Sequence, residues 1–298
     1  MSDPVPPCVV IWDGSVESET ALAWGLEHAR RSGAAVVLTR VVEPDELDGP
    51  ECQRALEGLG DRVSELRRSH PDLAVMSDIV GGEPSVVLRR LVARAGVTLV
   101  LGTSEDSDQD AVFASSIGAQ VASVARGAVV IVPECGPRSF GTVVGIDGSV
   151  AALAAAEAAA AECEKTNQRL HLVHVWQDPK LASGRWVDST YSFWSSAAHS
   201  KVLEDASAHV MDRHPGVATL KHLIRGDAVG VLQRFARDAT SMFLGAPRFG
   251  DWPDQVLGPV ASELVVSATC PLILIPAPLP GHAASGTASS PTGVPSWA

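Results

Sequence analysis

Residues 8–15 read CVVIWDGS, and residues 142–149 read TVVGIDGS. Each is an apolar run of strand length closing in the same Asp-Gly-Ser turn, and Asp13 and Asp147 lie 134 positions apart. The correspondence continues downstream. Gly82 pairs with Gly226, Gly102 with Gly245, and the apolar runs that close at Pro133 and Pro276 pair with each other. Their offsets of 144, 143 and 143 imply an insertion in the second copy, before Gly226. A repeat of this length is a duplicated domain rather than the unit of a solenoid.

Within each copy, short runs rich in Val, Ile and Leu alternate with longer stretches of helical period. The reading places strands at 8–13, 35–42, 73–79, 98–102 and 128–132, and again at 142–147, 169–176, 217–224, 241–245 and 271–275. The runs VVIV at 129–132 and LILI at 272–275 are apolar at every position, as strands covered on both faces are. Such alternation predicts the α/β class: two tandem, doubly wound, parallel five-stranded sheets of Rossmann-like type, with helices on either side. The Gly- and Pro-containing stretch ECGPRSFG at 134–141 marks the join, which gives domains at 1–136 and 137–278. Residues 279–298, dominated by Gly, Ala, Ser, Thr and Pro, read as a disordered tail.

The chain has 298 residues, about twice the usual domain size, with 46% hydrophobic and 19% charged residues, which excludes a fibrous or disordered class. Its net charge is −12 with no basic run, which argues against nucleic acid and anionic membranes as partners. No apolar stretch approaches the roughly 20 residues a membrane span requires, and Met1–Pro7 lacks a leader pattern, so a cytoplasmic protein is expected. The five cysteines are scattered and form no CxxC pair, which fits reduced thiols used as core filler.

In an open parallel sheet, ligands bind beyond the carboxyl ends of the strands, where strand order reverses. Asp13, Gly14 and Ser15, with their counterparts Asp147, Gly148 and Ser149, stand at such an end. A carboxylate there can accept hydrogen bonds from a ribose or an adenine edge, and glycine admits a close approach. The plainer reading is that Asp and Ser turn the chain and cap the next helix.

The DGS turns, the Gly82-Glu83-Pro84 triplet, the run LVHVW at 172–176 and the turn after the fourth strand together resemble the universal stress protein family, and the likeness recurs in both halves. The resemblance implies strand order 3-2-1-4-5 and a cytoplasmic stress-response protein binding ATP. It further implies that the two domains pair about a pseudo-twofold axis through their last strands, with a homodimer and an unidentified protein partner as further expectations. The implied nucleotide-binding set is Asp13, Gly14, Val41, Gly102, Ser115 and Ser116 in the first copy, and Asp147, Gly148, Val175, Gly245, Arg248 and Gly258 in the second.

In ATP-binding members of that family the fourth strand leads into Gly, two residues, Gly, nine residues, then Gly and Ser or Thr. Glycines and a hydroxyl at a helix start present donors to phosphate oxygens. This chain departs from the pattern twice. Glu105 replaces the second glycine in the first copy, and Asp106, Asp108 and Asp110 follow it. Each carboxylate near a triphosphate costs about 1 kcal/mol at a few ångströms. In the second copy Arg248 stands at the second glycine, and Gly258 is followed by Pro259, which has neither an N–H nor a hydroxyl. The expectation is weakened ATP binding, mainly in the second domain.

Two further classes stay open: a protein adaptor that has lost nucleotide, and a slow ATPase, for which no general base stands out. Ala111 and Ile117 break an EF-hand, so the acidic loop reads first as a solvated loop, with Mg²⁺ bridging to nucleotide as the lesser alternative. The nine histidines contain no HExxH, and His171 and His174, three apart on a strand, should face opposite sides. There is no GxSxG elbow, P-loop or GxGxxG. The inserted stretch at 178–194 gathers Trp186, Tyr191, Phe193 and Trp194, and reads as a lid, a partner surface or local packing.

Overall fold

The computed structural model describes residues 5–44, 49–94, 96–103, 118, 120–122, 124–136, 138–177, 189–246 and 257–278, with backbone alone at 50, 51 and 189–195. The expected tail at 279–298 and residues 178–188 of the inserted stretch lie outside this set. The first half runs β1 (Cys8–Ile11), α1 (Val16–Ser32), β2 (Val36–Val42), α2 (Pro50–Ser69), β3 (Val75–Gly81), α3 (Pro84–Val92), β4 (Thr98–Thr103) and β5 (Val129–Pro133). The second runs β6 (Thr142–Ile146), α4 (Val150–Thr166), β7 (Leu170–Trp176), α5 (Ser189–Arg213), β8 (Thr219–Arg225), α6 (Ala228–Ala236), β9 (Ser241–Ala246), α7 (Pro259–Val266) and β10 (Leu272–Pro276).

Each half has strand order 3-2-1-4-5, and the two five-stranded sheets join through their last strands, as the resemblance implied. The ten strands run β3-β2-β1-β4-β5-β10-β9-β6-β7-β8, an order that reads alike from either end. Every pairing is parallel except β5 with β10, where Ile273 lies opposite Val130. A five-stranded unit leaves its fifth strand as a bare edge of unpaired N–H and C=O groups. Pairing the two edges satisfies both.

The side chains of β5 alternate between two cores. Val130 and Val132 join α1, α2, α4 and α5 on one face, while Val129 and Ile131 join α3, α6 and α7 on the other. Both clusters contain residues of both halves, so apolar packing crosses the junction without a break. No helix among the described residues is long and apolar enough to cross a membrane.

His171 and His174 are buried on β7 and point to opposite faces, as their spacing requires. His171 stacks on Phe140 and meets His222 of β8 at 3.0 Å, whereas His174 lies 2.8 Å from His199 of α5. All five cysteines are free thiols. Burial pushes Cys8 and Cys270 up to about 12 and Cys163 to about 11, so these three fill space as inert groups.

Candidate functional site

Strand β1 ends at Ile11 and β6 at Ile146, before the two Asp-Gly-Ser turns. Asp13 Oδ1 accepts the Ser15 N–H at 2.9 Å, and Asp147 Oδ1 accepts that of Ser149 at 2.8 Å. The serines then cap the following helices, Ser15 Oγ accepting from Ser18 N–H and Ser149 Oγ from Ala152 N–H. Gly14 and Gly148 adopt φ of 89° and 86°, a region closed to most side chains. The turn-and-cap reading of these motifs therefore holds in both copies. It uses one carboxylate oxygen of Asp147 and leaves the other with no partner among the described residues.

The turns after β4 and β9 lie directly against these helix starts. A Cβ on Gly102 would sit 2.1 Å from the Glu17 carbonyl oxygen, and one on Gly245 would sit 2.5 Å from Ala151 C and Ala152 N. Glycine at these two positions is thus demanded by strand-to-helix packing, whatever ligand lies beyond. The same contact brings Asp147 and the Gly245 turn to one crevice.

In the second copy that crevice is a cavity of about 320 Å³. Asp147 and Gly245 line it at the strand ends, Val175 of β7 forms part of the wall, and Gly258, Pro259 and Val260 close it at the start of α7. The first-turn N–H groups of a helix have no acceptor within it, so Val260 and Ala261 offer donors there, whereas Pro259 offers none. Gly148 belongs to the turn below, where its Cα faces Val202 of α5. Arg248 lies outside the described residues.

The first copy differs. Ser115, Ser116 and the acidic loop lie outside the described residues, so its phosphate side is not part of the description. Val41 is half-buried on β2, packed against the core of the α3 face. Beside Asp13 there is a cavity of about 290 Å³ lined by Trp12, Arg40, Arg54 and Gly58. Arg40 donates to the Asp13 backbone carbonyl, and Trp12 Nε1 donates to Glu19 at 2.8 Å. Burial pushes the Asp13 carboxyl up, but hydrogen bonds from Ser15 and Ser18 and the Arg40 charge outweigh it, holding the group below the usual carboxylate range. The sequence reading missed Arg40, although a single cation inside the strand VVLTRVV was visible. Its counterpart in the second copy is the buried His174.

Tyr191, Phe193 and Trp194 belong to the first turns of α5, while Trp186 lies outside the described residues. Arg225 at the end of β8 lies 5.7 Å from the centroid of the Trp176 ring, and His199 stacks on the same ring.

Comparison with known proteins agrees with this architecture. Over 153 residues the chain is 31% identical to a universal stress protein of Mycobacterium tuberculosis, a match taking in 47% of this chain and only 48% of that relative. A universal stress protein of Mycolicibacterium smegmatis is 24% identical over 283 residues, 88% of this chain and 94% of the relative. Among solved structures, a universal stress protein from Archaeoglobus fulgidus has a TM-score of 0.65 at 17% identity, covering 91% of this chain and 98% of that one. A Pseudomonas aeruginosa chain has a TM-score of 0.64 at 12% identity, covering 91% and 93%. Residues 6–133 and 142–276 each match the universal stress protein family. With the same topology in both halves and both halves matched, the chain belongs to the universal stress protein family as two tandem copies of its domain.

Proposed function

We propose that this chain is a cytoplasmic stress-response protein that binds adenine nucleotide weakly, mainly in its second domain, and acts through a partner rather than by turnover. The observation that carries this reading is the cavity of about 320 Å³ at the Asp147 turn, a volume at the lower end of small-molecule sites. Its parts suit a nucleoside. The free oxygen of Asp147 would accept from ribose, Val175 would pack against the base, and the N–H groups at the start of α7 would face phosphate. Any Mg²⁺ would bridge to the phosphates of the bound nucleotide.

One observation favours the adaptor reading instead. α7 starts Gly258-Pro259 with no side-chain cap, so the phosphate side lacks the hydroxyl and one N–H of an intact site.

Titration calorimetry of the full chain with ATP separates the two. One binding event per chain is expected, weakened about tenfold or more by Asp147→Asn and left within about twofold by Asp13→Asn. Pro259→Ser, which returns a hydroxyl and an N–H, should tighten it. Absence of heat with ATP, together with no nucleotide released on denaturing the purified protein, would leave the adaptor.

A further inference from the structure

Across the junction of the two halves, on the face that carries α1 and α4, there is a cavity of about 480 Å³ that no part of the nucleotide reading uses. Its floor is a row of three register-paired residues: Val130 of β5, Ile273 of β10 and Phe243 of β9. Its walls come from the C-terminal parts of α1 and α4. Trp24, Glu27, His28 and Arg31 line one side. Ala158, Ala161, Glu162 and Lys165 line the other, and these are the same four positions of the repeat frame. The cavity therefore straddles the pseudo-twofold axis.

The two walls are not alike, and the difference makes the space. Where the first copy places an indole at position 24, stacked at 5.0 Å on His28, the second has only the methyl group of Ala158. Two indoles would meet over the floor; one indole and one methyl leave a slot. The rim is charged. Arg31 bridges the halves, meeting Glu162 at 2.9 Å and Glu27 at 2.8 Å, and Arg30 also meets Glu27 at 3.1 Å, so two arginines balance the two carboxylates. Lys165, the counterpart of Arg31, pairs with no carboxylate among the described residues, and the buried Arg31 Nε has no acceptor. An apolar floor with one open cationic group on its rim calls for an apolar body bearing a single anionic group.

We infer that the inter-domain cavity is a second ligand site, taking a small apolar monocarboxylic acid whose carboxylate meets Lys165 while its body lies on Val130, Phe243 and Ile273. It is separate from the Asp147 crevice and needs both halves of the chain, so it exists only where the two domains are joined.

The test uses 2-naphthoate and decanoate, a planar and a straight-chain acid, in titration calorimetry with the full-length protein. At least one should bind saturably at one site per chain below about 1 mM, and ATP or Asp147→Asn should leave that binding unchanged. Ala158→Trp, which restores the missing indole, should abolish it, and Ala158→Leu should weaken it. Lys165→Gln, on an exposed side chain, should weaken it about tenfold with native circular dichroism. No saturable binding of either acid, or binding unchanged in Ala158→Trp with native circular dichroism, overturns the inference. So does competition by ATP.

Discussion

At the scale of single residues, Gly245 and Gly258 share one cavity but answer to different constraints. Gly245 has no room for a methyl group, because backbone atoms of Ala151 and Ala152 stand 2.5 Å from where it would go. Gly258 has nothing within 4 Å and an ordinary φ of −56°. Gly245→Ala should therefore destabilise the protein by about 3 kcal/mol, since a helix backbone must move. Gly258→Ala should stay within about 0.5 kcal/mol. Urea unfolding of the two variants checks this, and equal midpoints would contradict the packing account. A glycine in the sequence says only that something comes close; here a helix does so at Gly245.

At the scale of elements, β7 and β8 carry a histidine pair whose proton count matters. His171 Nε2 faces the Phe140 carbonyl at 3.2 Å and its Nδ1 faces His222 Nε2 at 3.0 Å. With both rings neutral, one tautomer satisfies both contacts: His171 donates to Phe140 and accepts from His222. A second proton turns the His–His contact into two facing donors. Burial lowers the pKa of both rings; the His222 charge, then Arg169, add to this at His171, and the Phe140 carbonyl works against it. Because the folded values lie below the ordinary 6.5, the neutral pair contributes stability above that pH and loses it as pH falls further. The expected outcome is a urea midpoint that drops between pH 7 and 5, with a shallower drop in His222→Phe, whose ring can still pack on Phe235. Identical slopes in the two proteins would remove the pair from the account.

At the scale of the whole molecule, the β5–β10 pairing makes two repeats into one cooperative body. Val130 is fully buried and belongs to a core that includes Val144 and Leu172 of the other half. Val130→Asp places an unpaired charge at the junction and should cost more than about 4 kcal/mol. Hydrogen exchange should then report loss of protection in β1 and β6 together. Loss confined to β1 would mean that the halves fold independently. The duplicated α/β frame, its ten strands and both DGS turns were legible in the chain, because apolar periodicity and turn chemistry are local properties. β1 closes at Ile11 rather than at Asp13, although the Trp12 N–H still donates to the Thr39 carbonyl of β2 at 2.9 Å, because the chain leaves the ladder at Asp13 to enter the Asx turn. The capping role of Asp147 and the crowding at Gly245 could not be separated from ligand binding in one dimension, because both readings favour the same residues. The sequence alone determined the family frame and where its phosphate motif has decayed, for these are matters of residue type and spacing. Only the tertiary structure decided that Arg40 sits on the Asp13 turn and that Trp24 faces Ala158 across an open slot. Those facts arise from contacts between segments far apart in the chain, whose geometry no local pattern encodes.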